Sequence, residues 1–385
     1  MRASLVYNPN MPPSRTEPGA PPDAANPTVY FRGHELYAAM LADIARAVRE
    51  ICLEMYIFDD DDDGRRFRDA LIDRARAGLR VRVMYDSLGC LDTPPRFFET
   101  MRHAGIEVAE FNPIVRARVI RQWRKIDRRN HRKLLVVDAR VAYLGGINIS
   151  ASLAHWEDAH VRVEGRLATQ ARDSFEKVWG GRYPRVALRR SGRRALHAHR
   201  SVILDGFPAP HFSPLKRAHM HLFQRARQRI RIAHAYFIPD RRILRTLRKA
   251  VRRGADVDVL VPAHSDVTAI DWAMRYALGR LLRGGARVRF LPEPIMHTKA
   301  VVADDRYAIV GSANLNRTSF FRTLEIVLWT HDEGVVQPLV NRFEMLWARA
   351  TPYTVADDRR RPWWRRLLSW LAYRVQFWFP ADQAW

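Results

Sequence analysis

Cysteine and long apolar runs are scarce in this sequence. Among its 385 residues are two cysteines, Cys52 and Cys90, and each lies in or beside an apolar stretch. Two cysteines are too few for a disulfide framework, so we predict reduced residues in a folded core. Residues 1–28 lack the apolar run that signal peptides and membrane spans share, and charged residues interrupt the apolar C-terminal tail. We therefore expect no signal peptide and no span in either region, and a loose arm over residues 1–28.

Acidic residues are few relative to basic ones. The chain has 41 Asp and Glu against 65 Lys and Arg, which gives a formal net charge of +24. Such an excess favours an anionic partner, either a nucleic acid or an acidic lipid surface. The hydrophobic content of 47% is that of a folded protein, and 385 residues are enough for two domains.

Lysine is rare as well, and its positions reveal a repeat. Two of the six lysines, Lys133 and Lys299, lie in two copies of the pattern H-x-K-x4-D, 166 residues apart. Each copy is followed by a glycine-containing turn and then by a carboxylate. The corresponding parts are residues 131–138 and 297–304, residues 145–148 and 311–314, and Asp158 and Glu325. An internal repeat of this kind predicts two similar lobes.

The residue types in the repeat suit one small anion. The apolar run inside each motif predicts a strand, in which residues two apart share a face, so each His points the same way as its Lys. The glycine turn allows close approach to a ligand and places Asn148 or Asn314 at the same spot. The two lobes together would offer two imidazoles, two ammonium groups and two amides.

Attack on a phosphodiester needs such a set. One neutral imidazole can attack phosphorus while the other, protonated, gives a proton to the departing oxygen. Lysines and asparagines would stabilise the non-bridging oxygens, so we expect no metal and no cofactor. Asp158 and Glu325 are candidates for orienting the histidines, because a reactive imidazole commonly donates its other ring nitrogen to a carboxylate.

At these motifs the sequence resembles the phospholipase D superfamily, and within it the bacterial cardiolipin synthases. The similarity covers residues 29–350. The segments that carry the closer match are residues 130–133, 145–149, 156–165, 261–266 and 311–319. The resemblance implies two motifs that meet across a pseudo-twofold axis in one active site. It also implies transfer of a phosphatidyl group from one phosphatidylglycerol to another with release of glycerol, through a phosphohistidine.

The resemblance implies a role for each motif residue. His131 would be the nucleophile and His297 the acid that protonates glycerol. We expect Asp138 and Asp304 to brace their strands more than to touch substrate. The full candidate set comprises the motif residues His131, Lys133, Asp138, His297, Lys299 and Asp304, the phosphate-binding residues Asn148, Ser312 and Asn314, and the histidine-orienting residues Asp158 and Glu325.

The fold class expected is α/β, with two pseudo-symmetric sandwich lobes whose mixed sheets are flanked by helices. Each half contains a strand–helix–strand unit before its motif strand. The units span residues 51–58, 65–77 and 80–86 in the first half, and 230–238, 241–253 and 256–262 in the second. The expected domains are a first lobe at 29–184, a linker at 185–200, a second lobe at 201–351 and a C-terminal segment at 352–385.

The acidic run Asp59–Asp63 resembles the start of a calcium-binding loop. Ala70 stands where such a loop has its bidentate glutamate, which argues against a calcium site. We predict a solvated turn there.

The C-terminal tail, residues 362–385, has the composition of a membrane-interface segment. Five tryptophans and other apolar residues alternate with Arg365, Arg366 and Arg374. Aromatic rings suit headgroup depth and arginines suit anionic lipid. The alternative is a terminal helix packed on the protein. With the phosphodiester site, the tail favours a lipid substrate and a peripheral place on the cytoplasmic face of a bacterial inner membrane.

Other functions remain open at this stage. A phospholipase D that uses water or another alcohol as acceptor would have the same motifs. A nuclease would also fit the site and the charge, although it needs no interfacial tail, and a non-catalytic membrane scaffold is disfavoured because every motif residue is present. The choice of acceptor would depend on the shape of the pocket.

Overall fold

The computed structural model describes residues 27–114, 128–181, 201–209, 212–264 and 268–375. Most of the expected N-terminal arm, the expected linker at 185–200 and residues 376–385 of the tail lie outside the described residues. Within them the chain forms two α/β lobes, each built on one mixed sheet flanked by helices. The predicted fold class is confirmed.

The first lobe has a sheet of seven strands within the described part of the chain, in the order β1-β7-β6-β5-β2-β3-β4. Strands β2, β3 and β4 run parallel, and the other pairs run antiparallel. The strands are β1 (Thr28–Tyr30), β2 (Glu50–Met55), β3 (Arg80–Asp86), β4 (Glu107–Phe111), β5 (Leu134–Val137), β6 (Val141–Gly145) and β7 (His160–Glu164). The helices are α1 (Gly33–Ala45), α2 (Asp62–Arg76), α3 (Pro95–His103) and α4 (Gly165–Trp179).

The second lobe repeats this arrangement. Its described strands follow the order β15-β11-β10-β9-β12-β13-β14-β8, which matches the first sheet strand for strand except for the extra edge strand β15. The strands are β8 (Val202–Gly206), β9 (Arg229–His234), β10 (Asp256–Pro262), β11 (Arg287–Leu291), β12 (Lys299–Ala303), β13 (Tyr307–Gly311), β14 (Glu325–Thr330) and β15 (Thr351–Tyr353). The helices are α5 (Pro214–Arg225), α6 (Arg241–Arg252), α7 (Thr268–Leu282), α8 (Arg317–Phe321), α9 (Glu333–Arg349), α10 (Val355–Arg360) and α11 (Trp363–Val375).

Both predicted strand–helix–strand units are present. Strands β3 and β10 have the predicted bounds, and β2 and β9 run parallel to them. Helix α2 begins three residues earlier than expected because the Asp61 carboxylate accepts a hydrogen bond from the Gly64 amide and caps the helix. The turn predicted over Asp59–Asp63 was therefore wrong in its second half, where Asp62 and Asp63 form the first helical turn.

One buried apolar cluster contains residues of both sheets, beside the separate core of each lobe. Alternate residues of the motif strands face opposite ways, so Leu134 and Val136 point away from the helices that cover Leu135. Leu134 and Val136 join a buried cluster that also contains Ala300 and Val302 of the second motif strand. Each fully buried aliphatic side chain of this kind contributes roughly 1.5–3 kcal/mol. This shared cluster holds both motifs against each other.

Candidate active site

The two motif histidines are held by backbone hydrogen bonds that cross between the lobes. The His131 amide donates to the Leu324 carbonyl at 3.0 Å, and the His297 amide donates to the Glu157 carbonyl at 2.6 Å. Leu324 and Glu157 each directly precede a candidate orienting carboxylate. The same backbone contact therefore brings the next residue of the opposite lobe to each histidine.

Each imidazole pairs with the carboxylate of the other lobe. His131 Nδ1 lies 3.2 and 3.1 Å from the two oxygens of Glu325, and His297 Nδ1 lies 2.7 Å from Asp158 Oδ2. Both carboxylates are buried, whereas the histidine side chains keep 16% and 14% of their surface exposed. With Nδ1–H donated to a carboxylate, Nε2 is the nitrogen left for substrate.

The motif lysines lie against their own histidines, as the strand pattern predicted. Lys133 Nζ donates to the His131 carbonyl at 2.7 Å, and Lys299 Nζ donates to the His297 carbonyl. Lys299 Nζ is also 2.7 Å from His297 Nδ1 and 3.6 Å from Asp158 Oδ2. Two ammonium groups, two imidazoles and two carboxylates thus share one small volume.

Burial and crowding of positive charge shift the pKa values of this cluster. Burial, followed by the neighbouring Lys299, lowers the pKa of His297 to about 4. Burial and then Lys133 lower the pKa of His131, and burial lowers the pKa of Lys133 to about 7. Burial raises the pKa of Asp158, but Lys299 and His297 outweigh it, so that pKa is lowered. A bound phosphate would favour the protonated forms of these lysines and histidines.

The two orienting carboxylates have different surroundings. Glu325 accepts hydrogen bonds from the hydroxyls of Ser312, at 2.5 Å, and Thr323, at 3.0 Å. The positions that correspond to these in the first lobe are Gly146 and Trp156, which offer no hydroxyl. At Gly146 a Cβ would lie 2.2 Å from Asp158 Oδ1, so Asp158 fills the space that a serine would need.

Ser312 was expected to help bind phosphate, and the structure places it elsewhere. Its side chain is fully buried, and its hydroxyl donates to Glu325 while accepting from the Ile326 amide at 3.0 Å. Ser312 therefore contacts the carboxylate behind His131, because its turn comes directly after β13, the strand that pairs with β14. Its contribution to the site acts through Glu325.

The two turn asparagines are both buried but differ in their contacts. Asn148 Oδ1 accepts a hydrogen bond from the Ile57 amide at 3.1 Å, which ties the first turn to the end of β2. Asn314 Oδ1 is buried without a hydrogen-bond partner in the described structure. A buried amide oxygen without a partner is costly, and the buried side chain of Asn314 stays a candidate for substrate contact.

The motif aspartates lie at the far ends of the motif strands. Asp138 accepts hydrogen bonds from the amides of Val48, Arg49 and Glu50, at 3.0, 2.8 and 3.0 Å. Asp304 does the same for the three residues 227–229. These contacts are of the bracing kind expected, and they hold both aspartates at the opposite end of the motif strands from the histidines.

A buried polar network beside His131 was missed by the sequence reasoning. Arg132 is fully buried, with Nε 3.1 Å from Glu54 and a 2.7 Å hydrogen bond to Ser174. Asn130 donates to Glu54 at 2.6 Å. The residues on both sides of His131 are therefore fixed in the core of the first lobe. Glu54 is an acidic residue inside an apolar strand, which was the available signal.

Three aromatic rings beside the histidines were also missed. The Tyr56 ring centroid lies 4.9 Å from that of His131, and Lys133 Nζ lies 4.9 Å from the same tyrosine ring. Trp156 and Tyr236 pack against His297, at 5.8 and 6.1 Å. Tyr56 and Tyr236 follow β2 and β9, the strands next to the two motif strands. These rings restrict the imidazoles and exclude water from one side of each.

Comparison with known proteins decides the family. A family model described as "Cardiolipin synthase, PLD-like domain" matches residues 40–179 and 220–347. The two segments coincide with the two lobes and include every motif residue. The chain belongs to this phospholipase D-like family. The match therefore supports a phospholipase D-type phosphatidyltransferase.

The most similar relatives include two named cardiolipin synthases. The major cardiolipin synthase of Bacillus subtilis strain 168 is 30% identical over 360 residues, which cover 87% of this chain and 71% of that protein. Cardiolipin synthase 1 of Bacillus cereus is 29% identical over 371 residues, with 91% and 72% covered. Family membership thus extends over most of both chains.

Solved structures share the two-lobed fold. The phosphatidylserine synthase of Haemophilus influenzae superposes with a TM-score of 0.69 at 14% identity, over 93% of this chain and 95% of that one. The polyphosphate kinase of Porphyromonas gingivalis gives a TM-score of 0.60 at 15% identity, over 91% and 52%. At these identities the likeness concerns the fold alone.

Proposed function

We propose that the protein is a cardiolipin synthase, which transfers a phosphatidyl group from one phosphatidylglycerol to a hydroxyl of another and releases glycerol. The observation that carries the proposal is the pair of histidines, each with a lysine of its own lobe and a carboxylate of the other. The family and the names of the relatives support a phospholipid as the substrate.

The first half-reaction would make a phosphohistidine. His131 Nε2 attacks the phosphorus of the donor lipid, the bond between phosphorus and the glycerol headgroup oxygen breaks, and protonated His297 gives that oxygen a proton. The Nδ1–H of His131 stays on its hydrogen bond to Glu325, which stabilises the positive charge that the ring acquires. Free glycerol leaves.

In the second half-reaction His131 would be the leaving group and His297 would act as a base. Neutral His297 takes the proton from a headgroup hydroxyl of a second phosphatidylglycerol, the hydroxyl oxygen attacks phosphorus, and the phosphorus–nitrogen bond to His131 breaks. The product is cardiolipin, and both histidines return to their starting states. Lys133 and Lys299 stabilise the non-bridging oxygens in both steps.

The low pKa of His297 is compatible with its role as an acid. Its pKa is about 4, because burial and Lys299 disfavour the imidazolium. A bound phosphodiester places a negative charge beside Lys299 and the ring, which raises that pKa and protonates His297 only when the substrate is present. The assignment of His131 as nucleophile rests on the resemblance, since the two dyads are nearly symmetric.

The protein is a membrane-associated lipid enzyme, and we propose the cytoplasmic face of the inner membrane as its place. No helix in the described part of the chain is long and apolar enough to cross a bilayer. The net charge of +24 supports the proposal, because the cytoplasmic leaflet is rich in anionic lipid. The residues at 352–385 would form its membrane contact.

Purified protein incubated with phosphatidylglycerol vesicles, without added metal, tests the function. We expect cardiolipin and glycerol in equal amounts, and no transfer by His131→Ala or His297→Ala at unchanged thermal stability. His297→Ala protein denatured with detergent at neutral pH, which preserves the acid-labile phosphorus–nitrogen bond, should still carry radiolabel from a phosphatidyl-labelled donor activated by a good leaving group, whereas His131→Ala should not. Label on the His131→Ala protein would reverse the two roles.

The same assay separates the alternatives. Phosphatidic acid without cardiolipin would show a hydrolase, and transfer to an added alcohol alone would show a general transphosphatidylase. If no lipid product forms, cleavage of single-stranded and duplex DNA by the same preparation would support a nuclease instead. Residual cardiolipin synthesis in either histidine variant would overturn the two-histidine mechanism.

A further inference from the structure

The C-terminal helix α11 is packed on the second lobe, where Tyr373 joins the hydrophobic core and Ala372 packs against it. Ser369 and Tyr373 are its buried residues. The Tyr373 hydroxyl donates to the Pro239 carbonyl at 2.9 Å, the tyrosine ring lies 4.7 Å from that of Tyr276 on α7, and Arg361 donates to Ser369 at 2.5 Å. The packed helix considered from the sequence is therefore present.

The apolar side of α11 points away from the protein. Of the nine large hydrophobic side chains that are exposed in the described chain, six lie on this one helix. They are Trp363, Trp364, Leu367, Trp370, Leu371 and Val375. At about 100° per residue, Leu367 and Leu371 lie opposite Ser369 and Tyr373. An ordinary surface helix presents polar residues to solvent, whereas α11 exposes three tryptophans and three aliphatic residues on its outward side.

The arginines beside the exposed side of α11 indicate what that side binds. Arg365, Arg366 and Arg374 border the apolar stripe, and exposed Arg359 and Arg360 precede it. No carboxylate lies within α11. Tryptophan at headgroup depth with flanking arginine suits the surface of an anionic bilayer, and 13 residues with three charges are too short and too polar to span one.

The anchoring of α11 also connects it to the catalytic centre. Pro239, which accepts the Tyr373 hydrogen bond, is three residues from Tyr236, whose ring packs against His297. At the other end, Asp358 of α10 accepts a 2.7 Å hydrogen bond from Arg283, just after α7. The helix thus runs antiparallel to α7, with Tyr373 at the end of the sheet where the histidines lie.

We propose that the outward face of α11 lies in the surface of an anionic bilayer, and that Tyr373 fixes this surface relative to the catalytic site. The inference deepens the proposed function and rests on it, since it concerns how a bilayer-resident phosphatidylglycerol reaches His131 and His297. The six exposed apolar side chains of α11, here called the stripe, would bind the membrane. The hydroxyl of Tyr373 would hold the protein in the orientation that turnover requires.

The stripe is tested by vesicle sedimentation of the full-length chain. Leu367→Glu with Leu371→Glu should lower partitioning onto phosphatidylglycerol vesicles at least about tenfold, because two apolar side chains leave the interface and two negative charges enter it. Val48→Glu is the matched control, since Val48 is 74% exposed and far from α11 in sequence, and it should bind like the wild type. Unchanged binding of the double variant would overturn the proposal.

A second copy of the chain is the competing occupant of the stripe. Sedimentation velocity without lipid distinguishes it: the wild type and the double variant should show the same oligomeric state. If the wild type self-associates and the double variant does not, the stripe is a protein interface and the bilayer proposal fails.

The anchor is tested with Tyr373→Phe, which deletes only the hydroxyl. We expect normal vesicle binding, turnover on vesicles lowered about three- to tenfold, and normal turnover of a short-chain phosphatidylglycerol dissolved as monomers. An equal loss on both substrates would make Tyr373 a purely structural residue, and no loss on vesicles would remove its orienting role. Failure of the wild type to use the monomeric lipid would count against the proposed function, independently of the helix.

Discussion

His131 Nδ1 lies 3.1 Å from Glu325 Oε2, and the two residues belong to different lobes. Asp158 and His297 form the reciprocal pair. The two lobes exchange their orienting carboxylates because each histidine amide bonds to the carbonyl that precedes the carboxylate of the opposite lobe. The site is therefore an interface whose chemistry depends on how the lobes pack.

The crossed pairing predicts which carboxylate governs which histidine. Glu325→Gln should shift or abolish the low-field Nδ1 proton resonance of His131, identified by its absence in His131→Ala, and Asp158→Asn should leave it in place. Each carboxylate variant should lose about 10²- to 10⁴-fold in kcat, because the imidazolium loses its partner. A His131 resonance that responds to Asp158→Asn and ignores Glu325→Gln would contradict the crossed arrangement.

Thr323 should tune His131 through Glu325. Its hydroxyl donates to Glu325 Oε1 at 3.0 Å, with the Thr318 carbonyl as a more distant acceptor at 3.4 Å. In Thr323→Val the carboxylate loses a donor and attracts the imidazole proton more strongly, so the pKa of His131 rises. We expect the acid limb of kcat/KM to move up by about half a pH unit.

Two variants control this measurement. Thr323→Ser keeps the hydroxyl and should retain the wild-type profile. Thr298→Val removes a buried hydroxyl that bonds to the Glu157 carbonyl instead of a carboxylate, and its profile should not move. A uniform loss of activity at every pH in Thr323→Val would mean that Thr323 only supports packing.

Lys133 should lower the stability of the fold near neutral pH. Burial lowers its pKa from 10.5 to about 7 in the folded protein. The unfolded chain therefore binds more protons between these values, and stability rises with pH across that window. Below pH 7 the free energy of unfolding of Lys133→Met should exceed that of the wild type by about 1–3 kcal/mol, and this difference should shrink towards pH 10.

Urea unfolding at pH 6 and pH 9 measures the Lys133 effect. Lys249→Met on α6 is the comparison for general loss of a lysine. The Lys133 variant should also be inactive, so that stability and activity change in opposite directions. A variant that is less stable than the wild type at pH 6 would show that charged Lys133 holds the site together.

Asp304 should matter for stability and not for chemistry. Its carboxylate accepts from three consecutive backbone amides, so Asp304→Ala should lower the free energy of unfolding by about 2–3 kcal/mol, with kcat of the folded protein within about threefold of the wild type. Asp305→Ala is the matched control. Both aspartates have a positive φ, 53° and 52°, but Asp305 pairs with Arg231 only through its side chain.

Thermal unfolding of the two aspartate variants, together with kcat at saturating substrate, checks this. Equal destabilisation would assign the effect to the strained backbone of the turn. A large loss of kcat in folded Asp304→Ala protein would return the residue to the catalytic set.

The sequence was sufficient where the determinants are local. The β-branched runs predicted the motif strands, and the strand–helix–strand units predicted β3 and β10 to the residue. The strand period also placed Lys133 beside His131. These features depend on neighbours a few positions away, which a sequence displays directly.

The sequence was insufficient where residues distant in the chain meet. The exchange of Asp158 and Glu325 between lobes depends on sheet packing, and Ser312 was assigned to substrate because its contact with Glu325 arises only when β13 and β14 pair. The rings of Tyr56 and Tyr236 reach the histidines by the same long-range pairing. The tail was predicted to be either a membrane-interface segment or a packed terminal helix. Helix α11 has features of both, because it packs on the protein and exposes an apolar side.

The crossed backbone contacts make each lobe catalytically incomplete. A polypeptide with only the first lobe would contain His131 and Asp158 but would lack their partners in the second lobe. The second lobe alone would contain His297 and Glu325 but would lack Asp158 and His131. Cutting the gene between the lobes would thus yield two inert products whose activity returns only on reassembly.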